Sequence, residues 1–203
     1  MTSFRSILSF ASVMALTLTA FADTSFSACP VPGDLKNGIT VTRNNPFYSS
    51  LFEKKDTVIH EKRIMSRDGK PEHVSSTSFH PLTVYERISD KGTLTAKYDS
   101  DLSDLDSLPD RKSWVSNVSY YNDNKLIGKG TLTIIFKGAK TYTVGNCSYP
   151  VWSIETKSTI NDKIFVGFKK KYSPDLEMVL MAVKLNSSGK ALSSVIYDEI
   201  SSN

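Results

Sequence analysis

Residues 126–137 read LIGKGTLTIIFK. In an extended chain Leu132, Ile134 and Phe136 fall on one side, with Thr131, Thr133 and Ile135 on the other. Alternation of this kind marks a strand with one face buried and one face wet. The same period of two runs through most of the chain from about residue 38, as where Trp152, Ile154 and Thr156 face away from Ser153 and Glu155. Turn residues interrupt it at intervals of roughly ten.

The clearest interruption is Asp68-Gly69, a two-residue hairpin signal. Comparable punctuation stands at Asp90-Lys91-Gly92, Asn122-Asp123-Asn124, Gly138-Ala139, Asn161-Asp162, Ser173-Pro174-Asp175 and the stretch Asn186 to Gly189. Strands are predicted near 38–43, 57–66, 72–79, 82–89, 93–99, 112–121, 126–137, 140–145, 147–159, 163–172, 177–185 and 191–200. Consecutive hairpins give an antiparallel meander. The fold class is therefore all-β: a curved sheet, half-barrel or closed barrel of about ten to twelve strands.

Two places depart from the pattern. Leu102, Leu105 and Leu108 are spaced by three among Asp99, Asp101, Asp104, Asp106 and Asp110, which predicts one short helical turn near 101–108 that ends before Pro109. Pro150 has no N–H for a ladder, so its strand should begin at an edge or carry a bulge there.

The N-terminus has a different character. Arg5 is followed by an uncharged, largely apolar run from Ser6 to Phe21 that ends in Ala20-Phe21-Ala22. A cationic start, a short apolar stretch diluted by Ser and Thr, and small residues before the cut describe a secretory signal. Residues 1–22 are expected to be that signal, with cleavage before Asp23, and residues 23–203 to form a single β-rich domain. Phe26-Ser27-Ala28-Cys29 matches a lipoprotein signal poorly, because Asp23 breaks the apolar run and Phe26 stands where a branched aliphatic residue is usual. The expected location is periplasmic or secreted.

Cys29 and Cys147 are the only cysteines. In an oxidising compartment an even count is read as a disulfide, here closing a loop of about 120 residues. The net charge of +4 is too small and too dispersed for a nucleic-acid face.

Motifs for chemistry are absent. Counted from Asp99, the positions where a calcium loop needs Gly and Glu hold Asp104 and Asp110. His60, His73 and His80 lie on predicted strands with no metal-binding spacing, although His60 and His80 could meet across a hairpin. No Gly-x-Ser-x-Gly turn and no phosphate-cradling glycine loop is present. No catalytic residue, metal or cofactor is assigned. Lys169-Lys170-Lys171, beside Phe165, Phe168 and Tyr172, is read either as guarding an edge strand or as docking on an anionic surface. Asn117, Asn146 and Asn186 begin glycosylation-type tripeptides, treated as chance beside a signal of bacterial appearance.

From Gly138 to Leu185 the chain resembles uncharacterised β-rich periplasmic proteins of Gram-negative bacteria. The resemblance is carried by Gly138, the alternating Tyr142 and Val144, then Trp152 and Ile154, and later Tyr172, Pro174, Leu176, Val179 and Leu180. Some such proteins have the half-barrel of lipoprotein carriers. This chain departs from them at Cys147-Ser-Tyr-Pro150, where a small, Gly-containing turn is expected, and no binding residue carries over.

These features together lead to an exported cell-envelope protein with a structural, scaffolding or apolar-ligand or lipid-carrying role and no enzymatic one. A concave aromatic face would hold such a ligand, with Trp114, Tyr120 and Trp152 as its contacts. The alternatives are a module that docks on another envelope or secreted protein, and a hydrolase with a noncontiguous site. Neither nucleic acid nor a membrane span is expected.

Overall fold

A computed structural model of the protein describes residues 28–67, 69–161 and 163–203. The expected signal and the cut before Asp23 lie outside the described residues. The strands are β1 Ile39–Arg43, β2 Tyr48–Lys55, β3 Val58–Arg67, β4 Lys70–Ser78, β5 Glu86–Ser89, β6 Gly92–Tyr98 and β7 Ser113–Asn122. They continue as β8 Lys125–Val144, β9 Cys147–Ile160, β10 Lys163–Ser173, β11 Met178–Leu185, β12 Ala191–Ile196 and β13 Glu199–Ser202. All belong to one sheet in the order β12-β11-β10-β9-β8-β7-β6-β5-β4-β3-β2-β1-β13. Each strand from β2 to β12 pairs antiparallel with its predecessor, so the meander is as expected, with thirteen strands rather than ten to twelve.

The sheet is curved and not closed. Its two edges nonetheless converge, because β12 pairs with β11, β13 pairs with β1, and only Tyr197 and Asp198 separate β12 from β13. The Asp198 amide donates to the Thr42 carbonyl at 2.8 Å, and the Asp198 carboxylate accepts from the Asn44 amide at 2.7 Å.

Alternation decides what is inside. Along β7, Trp114, Ser116, Val118 and Tyr120 are buried, and Val115 and Asn117 between them are exposed. Two apolar clusters result. The first joins Ile39 and Val41 of β1 to Val144, Tyr149 and Val151 of the β8–β9 hairpin and to Leu176 and Met178. The second joins Trp114, Val118 and Tyr120 to Leu132, Ile134 and Ile154. Leu105 and Leu108, both fully buried, plug the second cluster from the β6–β7 connection. That connection is a 3-10 turn, Leu102–Ser107, running into the helix α1, Leu108–Arg111. Asp101 caps the turn by accepting from the Ser103 amide at 2.9 Å.

Several sequence expectations are corrected. The helical segment does not stop before Pro109, which sits in the first turn of α1, where its missing N–H costs no hydrogen bond. Strand β2 was not expected at all: its inward position Ser50 is fully buried but polar, donating to Glu61 at 2.7 Å, so no apolar alternation marked it. The stretch 82–89 is strand only from Glu86, because Pro81 and the Thr83 amide bonded to the His80 carbonyl make a turn first. The expected strands 126–137 and 140–145 are one strand, β8, in which Gly138 at φ +125° forms a bulge and not a turn. The expected strand 191–200 is broken at Tyr197 and Asp198.

The β8–β9 turn is Gly145-Asn146, and Cys147 to Pro150 is strand, so the expected place for a turn lies two residues earlier. Pro150 pairs only with β8, since β10 joins β9 from Trp152 onward; this segment of β9 is an edge, as Pro150 requires. Cys29 and Cys147 are disulfide-bonded, with Cα atoms 5.5 Å apart. His60 stands opposite Thr77 and His73 opposite Ile64, so the histidines do not meet across a hairpin.

Candidate functional site

Between the two clusters the concave side keeps a cavity of about 260 Å³. Its walls come from β2 and β3 through Phe52 and Ile59, from β10 and β11 through Phe168, Val179 and Ala182, and from Val195 of β12. A wider hollow of about 560 Å³ shares Pro81 and Glu177 with it, and Phe79, His80, Trp152 and Tyr172 line that outer space.

The polar groups of the cavity and its rim fall into four sets. Glu61, buried at 8% exposure, accepts from Ser50 Oγ at 2.7 Å and from Arg63 Nη2 at 2.7 Å. Burial works against the Arg63 charge, but the adjacent Glu61 carboxylate outweighs it and holds the guanidinium more firmly protonated than usual. The phenols of Tyr48 and Tyr197 face each other at 5.8 Å between ring centres, and burial raises both pKa values. Lys54 and Glu177 pair at the rim.

Lys170 is the fourth set. Its Nζ donates to the Leu82 carbonyl at 3.2 Å, and among the described residues no carboxylate lies in ion-pair range. Burial lowers its pKa to about 8. The cavity thus presents an apolar wall and one poorly neutralised cation.

His80 sits where the two spaces adjoin. Its Nδ1 accepts from the Leu82 amide at 3.1 Å, and its Nε2 is 3.5 Å from Asp106 Oδ1 on the helical plug. Burial, opposed by Asp106, lowers the imidazole pKa to about 4.

The structure gathers the three aromatic side chains expected to contact a ligand around the second cluster, in different roles. Trp114 is 4% exposed, with Nε1 donating to the Asp101 carbonyl at 3.1 Å, and Tyr120 is 7% exposed beside it. Trp152 is half-buried and lines the outer hollow, its ring edge-on to Phe136 at 5.9 Å and to Tyr172 at 5.5 Å. Sequence reasoning took Lys170 only as part of the Lys169–Lys171 run and missed its inward place. The signal was available, since Phe168, Lys170 and Tyr172 alternate on one face of β10. The lysine run is moreover not on an edge: β10 lies between β9 and β11, and Lys169 and Lys171 point the other way from Lys170.

No family model matches the sequence, and no curated protein matches it. Among solved structures, the crystal structure of MucB in complex with MucA(peri) is similar at a TM-score of 0.39 and 16% identity, over 83% of this chain and 51% of that one. The complex structure of Pseudomonas aeruginosa MucA/MucB matches at a TM-score of 0.38 and 16% identity, over 82% and 52%. The chain spans about half the length of both.

Proposed function

We propose that this is a non-enzymatic protein of the cell envelope that carries an amphipathic acid, apolar tail inward, in the cavity beside Lys170. The observation that carries this reading is the combination of an apolar wall of Phe52, Phe168, Val179 and Ala182 with a lysine that has no carboxylate partner among the described residues. A cation held in such a place lacks compensation until an anion arrives. The signal-like residues 1–22 and the Cys29–Cys147 bridge support the envelope setting. The other ionisable groups of the cavity are already engaged in structure, as Glu61 is with Ser50 and Arg63, which favours carriage over catalysis.

Titration of the purified protein with a medium-chain fatty acid tests the reading. Saturable binding is expected, accompanied above pH 8 by uptake of a proton as Lys170 becomes charged, which calorimetry in buffers of different ionisation enthalpy measures. Lys170→Met is expected to weaken binding by about tenfold or more. Ala182→Phe, which fills the cavity, should abolish it with the strand signal unchanged. Absence of binding, or binding unaltered in both variants, refutes the carrier reading.

A second reading is favoured by β12. Ala191 to Ile196 is an edge without a charged residue, with Leu192 61% and Ile196 50% exposed, and such an edge can accept a strand from a partner protein. Arg43 Nη1 caps only the Ser194 carbonyl, at 2.8 Å. Recovery from cells of a bound protein instead of a small molecule, lost in Ile196→Lys, would select this reading.

A further inference from the structure

The convex surface behind the cavity carries an unusual concentration of positive charge. Alternation along β10 sends Lys170 inward and Lys169 and Lys171 outward, where Lys169 stands opposite Glu155 and Lys171 opposite Ser153 of β9. On β8 the bulge at Gly138 lies between Lys137 and Lys140 and brings both alongside the same segment of β9. Lys137 Nζ lies 3.9 Å from Glu155 Oε2. Lys171 Nζ donates to Ser153 Oγ at 2.7 Å. A hollow of about 360 Å³ is lined there by Lys137, Ser153, Glu155, Lys169 and Lys171, with Met181 and Val183 of β11 as its apolar side.

Lys137, Lys169 and Lys171 line this hollow with a single carboxylate, Glu155, and Lys137 already answers that carboxylate. Burial first, and the neighbouring Lys140 second, lower the Lys171 pKa to about 8. Two like charges held together on a rigid sheet are stabilised by an anion that bridges them, and a hydroxyl beside them supplies a further hydrogen bond. A phosphate monoester has the right form: up to two negative charges and three acceptor oxygens on one small centre.

We infer that Lys137, Lys169 and Lys171, with Ser153, form a binding site for a phosphate monoester on the convex face, with Lys140 at its margin. This site is distinct from the concave cavity, because it is built on the outward residues Ser153, Glu155, Lys169 and Lys171 of β9 and β10, although Lys170 borders both spaces. The phosphate could belong to a lipid headgroup or be free in solution, and the probes separate the two.

The purified protein is titrated with inorganic phosphate and, separately, with vesicles containing phosphatidic acid, whose headgroup is a monoester; vesicles of phosphatidylglycerol, a diester, serve as comparison. Saturable binding of phosphate or of phosphatidic acid vesicles is expected, weakened at least about tenfold in the double variant Lys140→Gln/Lys171→Gln and unchanged in Lys91→Gln at the β5–β6 turn. Binding of both probes, or of phosphate alone, supports a site for free phosphate groups, and binding of the vesicles alone supports a membrane-borne one. No saturable binding of either, equal binding by the double variant, or equal binding of phosphatidylglycerol overturns the assignment. Should the double variant lose its strand signal, Lys169→Gln, exposed and lining the hollow, supplies the comparison.

Discussion

His80 is held as a neutral base. Its Nδ1 is committed to the Leu82 amide, and its ring stacks obliquely on Tyr172 at 5.7 Å. A charged imidazole would lose that acceptor and enter a poorly solvated place, which is why burial lowers its pKa to about 4 from 6.5. The sign of the consequence follows from proton counting. Between pH 6.5 and pH 4 the unfolded chain binds a proton that the folded one refuses, so stability falls as the pH falls through this window. The full effect is about 3 kcal/mol at most, with Asp106 working against it. Urea unfolding at pH values on either side of the window should show this loss in the native protein. His80→Asn, which can still accept from the Leu82 amide, should lack it. None of this was visible from sequence, where His80 was one of three unremarkable strand histidines; its Asp106 partner comes from a segment 26 positions away, on the helical plug.

The plug itself is the element that gives the concave face its contents. Leu105 reaches the centre of the second cluster and is fully buried, so Leu105→Ala removes contacts that the sheet cannot move in to replace. A loss of about 2–5 kcal/mol is expected, read as a lower urea midpoint with little change in slope. The plug was legible because its leucines are spaced by three where every neighbouring segment alternates by two. Strand β8 was legible over Leu132 to Phe136 for the opposite reason. What escaped detection were inward positions that are polar, and with Ser50 the whole of β2. Ser50 on β2 and Lys170 on β10 break the apolar code because each answers a polar partner, Glu61 or the Leu82 carbonyl, that only the folded chain brings near. The cavity lies between such positions. Its lining was therefore harder to foresee than its scaffold, whereas Trp114 and Tyr120, obvious as aromatic side chains, lie within the second cluster.

Across the whole molecule, the Cys29–Cys147 bond ties the start of the described chain to the β8–β9 hairpin over 118 residues. Cys147 belongs to the first cluster, next to β1 and to Ile200 of β13, so the bond fastens the region where the edges of the sheet converge. The chain-entropy model gives about 5 kcal/mol for a loop of this size. Reduction under otherwise native conditions should lower the thermal midpoint markedly, and a Cys29→Ser/Cys147→Ser variant should reproduce the drop without further response to reductant. Calorimetry with and without reductant checks both.

The joining of β12 to β13 through Tyr197 and Asp198 sets an order of events. Residues 39–42 lie unpaired on one side until residues 199–202 arrive, and no other contact in the sheet spans so much of the sequence. Contacts this remote make for slow folding. A chain threaded through a membrane pore from its N-terminus could not complete its sheet until Ile200 had crossed, and so it would stay pliable for most of the passage.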